Sequence, residues 1–123
     1  CMEYDYIKGI LEKIIDSHKI LNELKDKPGD LEIIKRELGK IQGLVQVLAN
    51  KIEKSENNSD TYFELLSASK SYLKEYSFHN EIDRISQLYS DDPHRIKNIR
   101  ISILTALEET KLIVRAIAFL EVL

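Results

Sequence analysis

The feature that most constrains the fold is the regular spacing of apolar residues between positions 31 and 54. Large aliphatic residues recur there in steps of three and four, at Leu31, Ile34, Leu38, Ile41, Val45, Leu48 and Ile52. This spacing places all of them on one face of an α-helix. The helix would be about 36 Å long at the normal helical rise. A pattern kept over this length predicts near-parallel packing against neighbouring helices, as in a bundle.

The residues before this segment predict a first amphipathic helix over 4–26. Its apolar face contains Ile7, Ile10, Ile14, His18, Leu21 and Leu24, and Leu11 and Ile15 widen it. The turn KPGD at 27–30 is expected to end this helix, because proline and glycine are poorly tolerated inside helices. Asp30 is the expected N-cap of the second helix.

A third helix is predicted after the polar stretch 54–60. Thr61 and Glu64 have the spacing of a capping box at its start. Its face is more aromatic than the others and comprises Tyr62, Leu65, Leu66, Ser69, Tyr72, Leu73 and Tyr76. Residues 76–80 are expected to break it, with Asn80 capping a short helix through Ile82, Ile85 and Tyr89.

The last predicted helix begins with Asp92 as N-cap and Pro93 in the first turn. Its face continues almost to the end of the chain, through Ile96, Ile99, Ile103, Leu107, Thr110, Ile113 or Val114, Ile117 and Leu120. Helices joined by short loops pack antiparallel. We therefore expect an all-α fold, an antiparallel up-and-down bundle of four main helices with a short extra helix before the last.

The length of 123 residues suits one domain, and we treat 1–123 as a single helical-bundle domain. The only cysteine, Cys1, precedes Met2 and is interpreted as an artificial addition. A position as the N-terminal domain of a longer protein stays open. With no second cysteine there is no disulfide framework, so we expect a cytoplasmic location. The net charge of −3 disfavours nucleic acid as a partner.

The sequence contains no motif of the common enzyme and metal-protein classes. It contains no Gly-rich phosphate loop, no paired Cys or His motif and no Glu-x-x-His. The three histidines, His18, His79 and His94, lie in different segments, and His18 is expected to be a hydrogen-bonded histidine at the edge of the core. We predict no enzymatic activity, no catalytic, cofactor-binding or metal-ligating residues, no cofactor and no small-molecule substrate.

Two features stand out against this background. The start of the last helix is basic, with Arg95, Lys97 and Arg100. These residues could contact anionic lipid head groups or an acidic partner. The alternative is a solvated face that is partly paired with the acidic third segment. The chain then ends in LIVRAIAFLEVL at 112–123, which only Arg115 and Glu121 interrupt. A helix apolar on all sides must be buried on several of them, at the bundle centre or at an interface. At about 18 Å this stretch is too short to span a bilayer core alone.

Two stretches resemble the N-terminal helical bundles of HeLo-type cell-death effectors and NACHT-type immune receptors, and their prokaryotic relatives, the Bell domains. The first is residues 20–52, with the turn Lys-Asp-Lys-Pro-Gly-Asp at 25–30 between two helices. The second is residues 82–114, with a short helix, a polar turn and a long helix, and with Tyr89 where the family often has Trp.

The resemblance implies an effector or adaptor domain in immune or cell-death signalling. Such a domain would act by regulated self-association and by membrane contact on activation, with anionic membrane as a partner. The charged start MEYDYIKGILEKII departs from the apolar first helix of the family, which puts pore formation by that segment in doubt. The alternative is a plain protein-interaction bundle: an antitoxin, an immunity protein or a complex subunit. In both cases the apolar C-terminal helix is the expected surface for self-association or for a protein partner.

Overall fold

The computed structural model describes residues 2–75, 78, 82–84 and 92–121. These residues form five helices of ten or more residues, and no strand occurs among them. The helices are α1 (Met2–Glu23), α2 (Asp30–Glu53), α3 (Asp60–Glu75), α4 (Pro93–Glu109) and α5 (Leu112–Glu121). Residues 82–84 are also helical. The all-α bundle predicted from the sequence is confirmed.

The apolar faces meet in one core. All seven aliphatic residues of the α2 pattern are buried, and so are Ile7, Ile10, Ile14 and Leu21 of α1. Contacts across α1 and α2 pair early residues of one helix with late residues of the other. Ser17 bonds to Glu37, and the Lys51 ammonium lies 5.3 Å from the centre of the Tyr6 ring. The two helices are therefore antiparallel, and α4, α3 and α5 complete the bundle around them.

The predicted last helix is wrong in one respect, because it is not continuous. It ends at Glu109, Thr110 is its C-cap, and Lys111 has a φ of 62° before α5 begins at Leu112. The Thr110 hydroxyl donates to the Ala106 carbonyl at 2.8 Å, a bond known to bend helices. The chain turns here because α5 packs against α1 and α3, which a straight continuation of α4 would not allow.

Two of the predicted helix starts also need correction. The N-cap of α2 is Gly29, with a φ of 93°, whereas Asp30 is the first helical residue and its carboxylate accepts the Lys27 amide at 3.1 Å. At the start of α3, the Ser59 hydroxyl accepts the Tyr62 amide at 3.4 Å, and Glu64 pairs with Arg115 instead of closing a capping box with Thr61. Of these two helices, only α3 therefore has a side chain on the free amides of its first turn, because the N-cap of α2 is a glycine and the Asp30 carboxylate reaches back to the turn before the helix.

The start of α4 follows the prediction. The Asp92 carboxylate accepts the His94 amide at 3.0 Å, and Pro93 occupies the first helical turn. A short helix was also expected before α4, and its residue Ile82 is helical and buried. Tyr76, Asn80, Ile85 and Tyr89, which the sequence assigned to the break and the short helix, lie outside the described residues.

Candidate interaction surface

The apolar C-terminal helix is neither fully buried nor fully exposed. Leu112, Ile113, Ala116 and Phe119 of α5 are buried. The opposite side is open: Val114 is 59% exposed and Ile117 42% exposed, and Ala118 is exposed beside them. We call these three residues the α5 outer face. The spacing of 114, 117 and 118 aligns them along one side of the helix.

The buried side of α5 is anchored by aromatic rings. Phe119 lies between Tyr4 of α1 and Tyr62 of α3, with ring centroids 5.4 and 5.7 Å away. The Tyr62 hydroxyl donates to the Glu3 carboxylate at 3.2 Å. Burial and the Glu3 charge both raise the pKa of Tyr62, so this hydroxyl stays protonated and keeps its donor role at neutral pH. The anchor holds α5 in a fixed orientation and so fixes which residues form the outer face.

A second anchor lies near the start of α5. The Arg115 guanidinium contacts the Glu64 carboxylate of α3 at 3.1 Å. This contact joins the last segment to the acidic third segment, but the sequence had assigned such pairing to the basic residues at the start of α4 and not to Arg115. A pocket of about 240 Å³ adjoins it, with Ser67 and Ser71 in its wall, and Phe63 at its edge is 70% exposed. The open side of α5 thus has a further apolar residue and a recess nearby.

The basic start of α4 does not present all of its charges to solvent. The Arg100 guanidinium makes two bonds to the Asp26 carboxylate, at 2.7 and 3.0 Å, and one to the Leu21 carbonyl at 3.3 Å. The two side chains are only 13% and 14% exposed. Arg100 therefore stabilises the α1–α2 turn and is not available to lipid head groups.

A buried polar cluster lies between α1 and α2, and the sequence reasoning missed it. Glu37 is fully buried, and its carboxylate accepts bonds from the Ser17 hydroxyl at 2.9 Å, from Arg36 at 3.1 Å and from Lys40 at 3.2 Å. Burial by itself would raise the pKa of Glu37, but these three donors outweigh it and hold the pKa below the ordinary value. The signal was present, because Ser17 and Glu37 interrupt the apolar spacing of two adjacent antiparallel helices.

The cluster borders a groove of about 510 Å³ between α1 and α2. Ile20 and Leu44 form its apolar part, and Lys13, Asp16 and Lys40 contribute its charged groups. Because the carboxylate of Glu37 already accepts three bonds, it has little capacity left for a ligand. The groove is better suited to apolar side chains than to a polar substrate.

The histidines are not brought together. His18 is half-buried at the edge of the core, as predicted, and burial lowers its pKa while the charge of Glu108 opposes the shift. Within the described residues no hydrogen bond to its ring is found, so that part of the prediction is not supported. His94 is exposed at the start of α4, and His79 lies outside the described residues. In the described part of the chain, no group of three or more acidic, His or Cys side chains is arranged to hold a metal ion.

Comparisons with known proteins add no relative: no family model matches this chain, and no curated protein or solved structure is significantly similar to it. Among the described helices, none is both long enough and apolar enough to cross a bilayer.

Proposed function

We propose that this chain is a non-enzymatic helical effector or adaptor domain in immune or cell-death signalling, of the HeLo/Bell type, which acts by regulated self-association. The observation that carries the proposal is the α5 outer face. Apolar side chains remain exposed there on a helix whose other side is firmly anchored in the core. A rigid apolar strip is suited to binding, because little conformational entropy is lost when a partner covers it.

Membrane contact is the second part of the proposal. The ten residues of α5 extend over about 15 Å, half of a bilayer core, so α5 would lie along the membrane surface and not across it. Lys111 at the start of α5 is exposed and could face anionic head groups. Since Arg100 is held by Asp26, the basic start of α4 contributes less to such contact than the sequence suggested.

Sizing with light scattering over a range of protein concentrations tests self-association. Replacement of Val114 and Ile117 by Ser is expected to reduce it. A matched control exists, because Val47 and Ile101 are the same residue types at similar exposure, 41% and 43%, on other helices. If both double variants associate as the unmodified chain does, the α5 outer face is not the interface.

Leakage of a dye from vesicles with and without anionic lipid tests membrane contact in the same variants. We expect the α5 outer-face variant to lose any leakage seen with anionic vesicles and the control to retain it. A chain that stays monomeric at all concentrations and leaves all vesicles intact would contradict the proposal.

A plain interaction bundle (an antitoxin, an immunity protein or a complex subunit) is the second candidate. The α1–α2 groove favours it, since Ile20 and Leu44 offer an apolar recess on a side of the bundle that α5 does not cover. Capture of one stoichiometric partner that is lost on replacement of Ile20 by Asp, but not on replacement of Val114 and Ile117, would support this candidate.

A further inference from the structure

The α4–α5 break is unusual because a lysine occupies the position where helices most often end in glycine. Lys111 follows the C-cap Thr110 and has a φ of 62°, in the left-handed region. Side chains with a Cβ are disfavoured in that region, and glycine is the usual residue there. Residues 94–121 contain neither glycine nor proline. The local sequence therefore supplies no glycine or proline for the break, and the bond from the Thr110 hydroxyl to the Ala106 carbonyl bends a helix without ending it.

The sequence of residues 94–121 is compatible with one continuous helix. Leu107, Thr110, Val114, Ile117 and Leu120 keep the three-and-four spacing across the break. The first amide groups of α5 have no helical acceptor in the broken form, since the first four N–H groups of any helix lack one. The first backbone bond within the new helix runs from the Arg115 amide to the Lys111 carbonyl, at 2.9 Å. If α4 and α5 formed one straight helix, the amides of residues 112–114 would find carbonyl acceptors in the last turn of α4.

The contacts that oppose straightening are tertiary. Phe119 packs against Tyr4 and Tyr62, and Arg115 pairs with Glu64. These partners belong to α1 and α3, and not to α4. An α5 helix supplied by a second copy of the chain would make the same contacts. A single straightened chain would instead leave the buried side of α5 and its site on α1 and α3 open to water.

We infer that two copies of this chain exchange α5: the break at Lys111 straightens into one helix over 93–121, and each α5 packs onto α1 and α3 of the other copy. A short connection under backbone strain is the usual setting for such an exchange. The inference rests on the proposed self-association and adds a second interface to it. The buried side of α5 changes partner while the α5 outer face stays open, and any condition that loosens α5 from its own chain favours the dimer.

Substitutions at Lys111 test the exchange without touching either interface. Lys111→Gly removes the strain of the broken form and lowers the helix propensity of the straight one. Because the dimer contains two hinges, its dissociation constant should rise by about 100-fold. Lys111→Val, a β-branched residue that tolerates the left-handed region least, should lower the dissociation constant by about fivefold or more. Lys111→Ala serves as a second variant of high helix propensity if the Val variant folds poorly, as judged by circular dichroism.

A distance measurement reports the straightening directly. Spin labels are introduced at two exposed positions outside the α5 outer face, Lys97→Cys and Glu121→Cys, together with Cys1→Ser. The labelled chain is diluted with unlabelled chain so that only distances within one chain are read. A straight helix places the two positions about 36 Å apart. We expect this distance in the dimer and a shorter one in the Lys111→Gly monomer.

The outcomes separate this inference from the proposed function. If the dimer shows the short distance and its stability is the same in the Gly, Ala and Val variants, exchange is overturned. If that dimer is also lost on replacement of Val114 and Ile117 by Ser, association through the α5 outer face stands by itself. If the Val and Ala variants, like the unmodified chain, stay monomeric at every concentration, both ideas fall.

Discussion

The α1–α2 turn and the α4–α5 break end a helix in different ways. At the α1–α2 turn the sequence itself supplies the stop, with Pro28 and with Gly29 at a φ of 93°. Asp26, with a φ of 60°, is held there by two bonds from Arg100. At the α4–α5 break there is no such residue, and Lys111 is kept in the left-handed region by the packing of a ten-residue helix. The first turn has its own stop residues, which one tertiary ion pair reinforces, whereas the second depends on tertiary contacts alone.

The difference indicates where the fold can change. A turn fixed by proline, glycine and an almost buried ion pair has few alternatives. A break fixed only by packing has a competing form, the straight helix, whose population depends on how firmly α5 is bound. Substitutions at the two sites test this contrast through the free energy of unfolding.

The largest effect is expected from removal of the α5 anchor. Phe119→Ala deletes a ring packed between Tyr4 and Tyr62, and should reduce the free energy of unfolding by about 3 kcal/mol in urea titrations. Ile117→Ala, on the exposed side of the same helix, is the control and should cost less than about 1 kcal/mol. Equal losses for the two variants would mean that α5 is not held by its aromatic anchor.

Loss of the ion pair at the α1–α2 turn should have the next largest effect. Arg100→Ala leaves the nearly buried Asp26 carboxylate without its two strongest donors and should cost about 2 kcal/mol. Lys97→Ala, an exposed position on the same helix, should change stability by less than about 0.5 kcal/mol. Thermal unfolding of both variants measures the difference. A near-neutral Arg100→Ala variant would show that proline and glycine suffice to fix the turn.

Replacing the glycine of one site and introducing a glycine at the other should change the free energy of unfolding by smaller amounts of opposite sign. Gly29→Ala forces a Cβ into the left-handed region and should cost about 1 kcal/mol, whereas Lys111→Gly should stabilise the monomer by up to about 1 kcal/mol. Gly43→Ala is the control for added Cβ atoms, since it lies exposed inside α2 with open space around it, and should be neutral or stabilising. Destabilisation by Lys111→Gly would show that Lys111 is not strained.

The smallest difference is expected in the pH dependence of stability. The pKa of Glu37 is lowered in the folded chain, so its ionised form stabilises the fold above the unfolded value of 4.5. That contribution is lost as the pH falls through the lower, folded pKa. Glu37→Gln, which cannot titrate, should therefore lose less stability than the unmodified chain between pH 6 and pH 3, as measured by urea titrations across that range. Glu32→Gln, exposed on the same helix, is the control and should follow the unmodified chain.

The candidate surface was predictable in part. The apolar stretch 112–123 pointed to a docking helix, but the sequence could not say which of its residues would be exposed. Val114 and Ile117 continue the apolar spacing of α4 as well as Ile113 does, and only the break at Lys111 turns them outward. Arg100 and Asp26 are 74 residues apart in the sequence, so no local pattern predicted their pairing.

Helical periodicity by itself determined the number of amphipathic segments before residue 76, most of the core residues of α1 and α2, and the all-α class, because burial of a regular apolar stripe leaves few other arrangements. Only the tertiary structure decided where the last helix ends and which side of it stays open. The physical reason is that the local preference for a continuous helix amounts to a small free energy per residue. The burial of Leu112, Ala116 and Phe119, on a helix that packs against α1 and α3, exceeds it.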